Sequence, residues 1–308
     1  MKALLSIIAS LLITTAVAQR RIRVMEWNVE NLFDVQHDSQ KQDYEFLPDG
    51  DKHWTARRYW RKLNDVARTI MAVGNATPPD IVALCEVEND SVMRSLTRSS
   101  ALRDLGYKYV ITSSPDARGI DCALLYQPLH FGLLSWHAIR VPSEQQGFNP
   151  TRDILYAKGT VGRSDTLHVI VCHLPSRRSG AKGDRPRALA MQTLQHVIDS
   201  LRGKRVIVTG DFNDAQPRIS NLHRNSLQLK PNDKVRGTYL YKNKWSQLDH
   251  LFTSPRLRVE ALHVATFSFL LEHDKKSKGV QPRRTYKGPN YHNGISDHLP
   301  IWADIILR

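Results

Sequence analysis

Residues 206–213 read Val-Ile-Val-Thr-Gly-Asp-Phe-Asn, a short apolar run that ends in an acid and an amide. Such a run is typical of a buried strand, and Gly210 lets the chain turn closely before Asp211. Asp211 and Asn213 are two residues apart, which projects both side chains to the same side of an extended segment. The stretch therefore predicts a core strand that delivers polar site residues at its end.

Five other strand-like runs, widely separated along the chain, carry the same kind of chemistry at their ends. Their polar residues are Asn28 and Glu30, Glu86, His173, Asp249, and Asp297 with His298. A sheet can bring such strand ends to one rim, so we expect these side chains to share one pocket. A pocket of this composition suits a hard divalent cation and a phosphate ester.

Carboxylates dominate the predicted pocket. They are Glu30, Glu86, Asp211, Asp249 and Asp297. Buried carboxylates are costly unless they are paired or bind a cation. Oxygen ligands select a hard ion, so we expect Mg²⁺, with Mn²⁺ or Ca²⁺ as alternatives. Zinc fits less well, because no His/Cys cluster has the spacing of zinc ligands.

The remaining candidates are imidazole, amide and guanidinium groups. Asp249 could orient His298 as a base that activates water, and His173 could contact the phosphate or assist the leaving oxygen. The amides of Asn28 and Asn213 can hold a phosphoryl oxygen without adding charge. Arg118, just before the strand at Cys122, could reach the phosphate, although a solvated turn arginine would look the same.

Length and composition fit one large α/β domain. The chain has 308 residues, of which 41% are hydrophobic and 24% charged. Residues 1–18 have the positive start, the apolar run and the Ala16-Val17-Ala18 ending that are typical of a secretory signal peptide. Residues 19–308 are expected to form the domain. We therefore expect a secreted or periplasmic protein, a monomer without stable membrane insertion. The three cysteines lie in apolar runs and are expected to be small core residues.

Apolar periodicity predicts more strands than helices. A helix is expected over residues 55–73, with Trp60, Leu63, Val66, Ala67 and Ile70 on its apolar face. Further helices are expected over residues 90–105 and 185–201. Strands are expected at 22–29, 81–86, 107–112, 122–126, 154–161, 167–172, 206–209, 247–252 and 299–305. Links of hairpin and helix length imply both antiparallel and parallel pairing, so the fold is expected to be a layered α/β sandwich.

The chain is strongly basic, with a formal net charge of +14. Two basic loops, residues 176–187 and 273–293, adjoin the candidate site. Arg177 and Arg178 in the first loop could follow a phosphate backbone, and Tyr286 or Tyr291 in the second could stack on bases. Charge alone does not choose among nucleic acid, acidic polysaccharide and anionic lipid.

Taken in order, these motifs resemble the endonuclease/exonuclease/phosphatase superfamily, which includes deoxyribonuclease I-like enzymes. The matching stretches are Trp27-Asn28-Val29-Glu30, Cys85-Glu86-Val87, His173 after its strand, Gly210-Asp211-Phe212-Asn213, Leu248-Asp249-His250 and Ser296-Asp297-His298-Leu299-Pro300. Residues 28–34 also resemble secreted bacterial nucleases of this superfamily. The resemblance implies a four-layer α/β sandwich of two mixed β-sheets packed face to face, with helices on the outside.

The resemblance also implies roles for the site residues. Glu86 would bind the metal, helped by Glu30 and Asp297 directly or through water. Asp211 would position or deprotonate the attacking water, Asp249 would pair with His298, and either Asp211 or that pair would be the base. Asn28, His173 and Asn213 would hold or neutralise the phosphate.

Three functions remain open at this level. The first is a secreted, metal-dependent phosphodiesterase that hydrolyses nucleic acid. The second keeps the chemistry but acts on phospholipid headgroups, inositol phosphates or small phosphate esters. The third is a non-catalytic basic binding module, which the complete set of site residues disfavours.

Overall fold

The computed structural model describes residues 20–143, 145, 147–162, 165–176, 181–274 and 279–307. The expected leader, residues 1–18, lies outside these ranges, and so do Arg177 and Arg178. Within them, no helix is both long and apolar enough to span a membrane.

The described chain forms three α-helices and eighteen strands. The helices are α1 (Ala56–Gly74), α2 (Asp90–Arg98) and α3 (Ala181–Ser200). The strands are β1 (Arg21–Leu32), β2 (Ile81–Val87), β3 (Lys108–Ile111), β4 (Asp121–Tyr126), β5 (Gly132–Ile139), β6 (Ile154–Val161), β7 (Asp165–His173), β8 (Val206–Asp211), β9 (His223–Asn225), β10 (Tyr239–Tyr241), β11 (Lys244–Ser246), β12 (Asp249–Thr253), β13 (Leu257–Val264), β14 (Leu271–His273), β15 (Val280–Pro282), β16 (Tyr286–Lys287), β17 (Asn290–Tyr291) and β18 (Ile301–Leu307).

Two six-stranded mixed sheets form the centre of the molecule. The first has the order β13–β18–β1–β2–β4–β3, with β1 and β2 parallel and the other neighbours antiparallel. The second has the order β5–β6–β7–β8–β12–β9, with β7 and β8 parallel. Short hairpins pair β10 with β11, β14 with β15 and β16 with β17.

Strand alternation in β1 explains the layers. Ile22 and Val24 point into the apolar cluster between the two sheets, whereas Met25 and Trp27 point into a second cluster with α1 and α2. On the far side of the second sheet, α3 covers β7 and β8 through a third cluster that contains Leu194. The four-layer α/β sandwich expected from the sequence is confirmed.

Several sequence-based boundaries need correction. The second helix ends at Arg98, and only a single 3₁₀ turn follows at Arg103–Leu105. On α1, Tyr59 rather than Trp60 lies on the buried face, and Trp60 is 40% exposed because it is rotated about 100° from its neighbour. Strands β5 and β13 were not predicted, because both are sheet edges with mixed polar and apolar exposure.

The cysteine prediction is confirmed. Cys85, Cys122 and Cys172 are all buried and unbonded. Cys85 and Cys122 are directly opposite each other on β2 and β4, within the cluster between the sheets.

Candidate active site

The ends of the central strands open into one cavity of about 770 Å³. Nine of the predicted site residues line it: Asn28, Glu30, Glu86, Arg118, His173, Asp211, Asn213, Asp297 and His298. Asp249 lies behind the cavity wall and is completely buried. The structure therefore brings together every predicted site residue that it describes.

Asp211 lies at the centre of this cluster, held by amide donors. Its Oδ2 accepts a hydrogen bond from Nδ2 of Asn28 at 3.0 Å, and its Oδ1 accepts one from the backbone N–H of Asn213 at 2.8 Å. The residue before Asp211 must be glycine because β8 lies close to β7 at this point: a Cβ on Gly210 would lie 1.9 Å from the carbonyl oxygen of Cys172. Burial raises the pKa of Asp211 to about 7.

Asp249 and His298 form a buried pair beside Asp211. The pairing of β12 with β8 sets Asp249 opposite Asp211. Nδ1 of His298 lies 2.8 Å from Oδ2 of Asp249, and its Nε2 lies 3.8 Å from Oδ2 of Asp211. Burial alone would lower the pKa of His298, but the two carboxylates outweigh it and raise that pKa well above its usual value. At neutral pH His298 is therefore an imidazolium.

His173 has the opposite electrostatic character. Its Nε2 lies 3.6 Å from Oδ2 of Asp211 and 3.8 Å from Oε1 of Glu86. Burial, together with the positive charges of Arg152 and Arg118, lowers the pKa of His173 well below its usual value. His173 is therefore neutral, and its Nε2 faces the cavity between two carboxylates.

Glu86 sits on a bulge of β2 with a left-handed backbone, φ +64°. Its Oε2 accepts a hydrogen bond from the backbone N–H of Asn31 at 2.9 Å. A guanidinium nitrogen of Arg118 lies 3.8 Å from its Oε1 and donates to Oδ1 of Asn31 at 3.0 Å. Arg118 is thus a rim residue of the cavity, with its guanidinium near Glu86 and its side chain 55% exposed.

Glu30 and Asp297 form the other side of the acidic cluster. Glu30 also has a left-handed backbone, φ +51°, and its Oε2 accepts from the backbone N–H of Thr285 at 2.8 Å. Burial and the nearby charge of Asp297 raise the pKa of Glu30 to about 8. Asp297 accepts a hydrogen bond from Arg284 at 2.6 Å.

Two buried cations next to the acids were not recognised in the sequence. Lys62 on α1 donates to the backbone carbonyl of Glu30 and to Oγ1 of Thr285, and burial lowers its pKa to about 8. Arg152 lines the cavity and donates to Asp116 at 3.0 Å. No local pattern marks either residue, because Lys62 reads as a solvated helix residue and Arg152 is buried through a distant partner.

Two sets of residues at the cavity are candidates for holding a cation. In the described part of the chain, ligand atoms of Asp211, Asp249 and His298 lie within 4.8 Å of one another. The hydrogen bond to Asp249 occupies Nδ1 of His298, and a protonated imidazole cannot bind a metal ion, so this set is a poor cation site. The Glu30, Glu86 and Asp297 carboxylates fit a hard cation better, because a cation would relieve the charge repulsion that raises the pKa of Glu30.

The tyrosines at the mouth of the cavity differ from those expected. Tyr286 is buried, packs at 6.1 Å from the Trp54 ring and donates its hydroxyl to the carbonyl of Lys52. It is part of the core and cannot stack on a base, so the expectation was wrong for Tyr286, whereas stacking by Tyr291 stays a prediction. Tyr241, at the end of the β10–β11 hairpin, lines the cavity and is 57% exposed.

A neighbouring tyrosine on the same hairpin reaches the catalytic candidates. The Tyr239 ring lies 4.8 Å from the His298 ring, and an isolated bridge joins the backbones of these two residues. The hairpin is thereby fixed against the site, with Tyr239 at its base and Tyr241 towards solvent.

Comparison with known proteins identifies the family of the chain. A model of the endonuclease/exonuclease/phosphatase family matches residues 23–306. No curated protein matches the chain.

Solved structures share the fold at low sequence identity. D. rerio TDP2 humanized by 14 mutations is 16% identical, with a TM-score of 0.60, and the match covers 92% of this chain and 98% of that chain. D. rerio TDP2 complexed with single strand DNA product matches over the same shares at 16% identity and a TM-score of 0.59. The mannosyl-6-phosphatase of Bacteroides thetaiotaomicron VPI-5482 is 17% identical, with a TM-score of 0.58 over 93% of this chain and 100% of that chain.

The family match spans nearly all of the described chain, and the family consists of metal-dependent phosphoester hydrolases. The chain belongs to the endonuclease/exonuclease/phosphatase family.

Proposed function

We propose that this protein is a divalent-metal-dependent phosphodiesterase that hydrolyses nucleic acid by attack of an activated water. The observation that carries the proposal is the convergence of Glu86, Asp211, His173 and His298 on one open cavity. The cavity combines acidic groups for a cation with amide and cationic groups for a phosphate.

Glu86 would hold the cation, with Glu30 and Asp297 beside it. All three offer carboxylate oxygens, which favour Mg²⁺ or Mn²⁺, and Ca²⁺ is an alternative outside the cell. Such a cation, when bound, neutralises charge on the phosphate and on the leaving oxygen.

The base in this account is Asp211. Its pKa of about 7 suits a group that accepts a proton near neutral pH. His298 is already protonated through its contact with Asp249, so it is poorly suited to accept a further proton and well suited to stabilise a phosphoryl oxygen. Electrostatics therefore favour Asp211 over the Asp249–His298 pair, the alternative base that the sequence left open.

Neutral groups complete the phosphate site. Nδ2 of Asn28 and Nδ2 of Asn213 each donate to Oδ2 of Asp211, at 3.0 and 3.3 Å, and so orient the carboxylate. His173 is neutral and its Nε2 reaches the same oxygen, at 3.6 Å. Arg118 at the rim adds positive charge where a substrate phosphate would enter.

Nucleic acid is the substrate that best fits the surroundings of the site. The net charge of +14 favours a polyanion. Exposed Tyr241 offers a ring on which an unpaired base can stack. Arg177 and Arg178 remain predicted substrate contacts. A solved structure with this fold, that of D. rerio TDP2, contains a single strand DNA product.

Export from the cytoplasm is part of the proposal. Residues 1–18 have the charge, apolar run and small residues of a cleavable leader. Expression of the full chain followed by N-terminal sequencing of the processed protein tests this, with a first residue of Gln19 as the expected result. A protein that retains Met1 and stays in the cytoplasm would contradict it.

One panel assay tests the proposed activity. Purified protein is incubated with Mg²⁺, Mn²⁺ or Ca²⁺ and with duplex DNA, single-stranded DNA, RNA, phospholipid vesicles, inositol phosphates and a sugar phosphate. We expect metal-dependent cleavage of nucleic acid. Release of lipid headgroups or of inorganic phosphate, with the nucleic acid left intact, would show that the same hydrolysis acts on another substrate. Binding of nucleic acid without any cleavage would show that the protein is a non-catalytic binding module.

A further inference from the structure

Glu26 is a carboxyl group buried where no charge is expected. It follows Val24 on the face of β1 that points between the two sheets, two residues before Asn28. The residue is 1% exposed. Neither of its carboxyl oxygens has a hydrogen-bond partner among the described residues. A buried polar group without a partner is rare, so this one requires an explanation.

A second unpartnered oxygen belongs to the catalytic pair. Oδ2 of Asp249 accepts from His298, whereas Oδ1 of Asp249 is buried and has no partner among the described residues. Asp249 is also the charged group that acts most strongly on Glu26. The two orphaned carboxyl groups therefore lie within electrostatic reach of each other.

The groups facing Glu26 come from every element around it. They are Asp249 on β12, Asp211 on β8, Cys85 on β2 and His298 before β18, whereas the side chain of Cys172 on β7 lies on the α3 side of its sheet. Both thiols are buried, and of the charged groups only His298 is positive. An ionised Glu26 would thus add a third negative charge to Asp249 and Asp211, with one imidazolium to balance them.

We propose that Glu26 is a positioning residue that stays protonated and donates, through one buried water, to Oδ1 of Asp249. This inference rests on the proposed function, since it concerns how Asp249 is held for His298. A water with two such carboxyl partners in a closed polar site is a normal component of protein interiors. Both carboxyl oxygens of Asp249 would then be held, Oδ2 by His298 and Oδ1 by the water bound to Glu26.

Electrostatics agree with this arrangement. Burial, followed by the charge of Asp249, raises the pKa of Glu26 well above its usual value. A protonated carboxyl donates one hydrogen bond, which is what Oδ1 of Asp249 lacks. Glu26 is therefore a neutral donor and not a further acid of the metal site.

Two matched substitutions test the role kinetically. Glu26→Gln keeps a neutral donor of the same shape, so we expect kcat within about threefold of wild type and an unchanged pH profile. Glu26→Leu removes the donor, and we expect kcat to fall about tenfold or more with KM and the Mg²⁺ requirement unchanged.

A purely structural role gives a different pattern. It predicts changed unfolding temperatures with wild-type kcat and pH profile in both variants, and that result would overturn the proposal. Should Glu26→Leu fail to fold, Glu26→Met supplies the same loss of the donor with a more adaptable side chain.

The protonation state can be measured without any activity. Infrared difference spectra of wild type against Glu26→Gln at pH 7 are expected to contain the C=O band of a protonated carboxylic acid in the wild type. A carboxylate band instead would overturn the proposal even in an active enzyme. An enzyme that cleaves no phosphoester while the protonated band is present would refute the proposed function and leave the protonated state of Glu26 established.

Discussion

Oδ2 of Asp249 lies 2.8 Å from Nδ1 of His298, while the backbone of Asp249 is paired across the sheet with Asp211. Asp249 on β12 therefore holds the His298 imidazolium, and Nε2 of His298 lies 3.8 Å from Oδ2 of Asp211 on the neighbouring strand β8. This arrangement separates the roles of the two acids. Asp249 holds a positive charge in place, and Asp211 remains available to accept a proton.

Loss of the Asp249–His298 pair should impair turnover without unfolding the protein. We expect His298→Ala and Asp249→Asn each to lower kcat by about 10²- to 10⁴-fold, because the phosphate loses a fixed cation. Steady-state kinetics with circular dichroism measures both effects. Asp104→Asn, at a site 81% exposed, is the control and should behave as wild type. Normal turnover by His298→Ala would contradict the assignment.

The rate should follow the ionisation of Asp211. The base must be unprotonated, and the pKa of Asp211 is raised to about 7, so kcat/KM should rise with pH up to about 7 and then level off. Cleavage measured from pH 5 to 9 at saturating metal checks this. A rate that is already maximal at pH 5 would mean that Asp211 is not the base.

Glu88 should make the stability of the fold fall as pH rises from about 4.5 to 8. Burial, followed by the charge of Asp34, raises its pKa from 4.5 to about 8. The folded state therefore holds a proton that the unfolded state releases above pH 4.5, and stability is lost as pH rises from 4.5 towards 8. Glu88→Gln should raise the free energy of unfolding at pH 8 by on the order of 2 kcal/mol and change it little at pH 4.

Chemical denaturation of both proteins at the two pH values measures this difference. Gln can still accept the hydrogen bond that Oε2 of Glu88 receives from the backbone N–H of Asp34. Equal effects of Glu88→Gln at pH 4 and pH 8 would show that packing, and not ionisation, dominates at this position.

Tyr241 should contribute to the binding of single strands. Removing its ring in Tyr241→Ala should raise KM for single-stranded DNA about tenfold or more, since stacking on a base is lost. The kcat should stay within about twofold, because Tyr241 takes no part in the proposed proton transfer or metal binding. Trp136→Ala is the matched control, as Trp136 is partly exposed but does not line the cavity. Equal effects of the two substitutions would remove the stacking role.

The sequence predicts the site better than its surroundings. The polar residues at strand ends were recognisable because each comes after an apolar run, as Asp211 ends β8 and His173 ends β7. The fold was recognisable from the same strands in their order. The predictions of the site and of the fold both rest on patterns of neighbouring residues, which can be read directly from the sequence.

The parts that were missed depend on tertiary contacts. Lys62 reads as a solvated helix residue, and only the loop at Thr285 and the end of β1 make it a buried donor. Arg152 is buried through Asp116, which lies 36 positions away in the sequence. Glu26 interrupts the apolar pattern of β1, yet nothing local indicates that it faces Asp249.

The same limit explains the error at Tyr286. A tyrosine in a basic loop is typical of a base-stacking residue, but contacts with Trp54 and Tyr291 bury this one. The exposed ring comes from Tyr241, on a hairpin whose position against His298 was not evident from the sequence.

The most direct test compares wild type with Glu86→Gln on a labelled single-stranded oligonucleotide, with and without Mg²⁺. We expect cleavage by wild type that requires the metal, and loss of that cleavage by at least about 10³-fold in Glu86→Gln, which removes the principal proposed metal carboxylate. Calorimetric titration with Mn²⁺ should show weaker binding in the variant. Metal-dependent cleavage by Glu86→Gln at the wild-type rate would contradict the account.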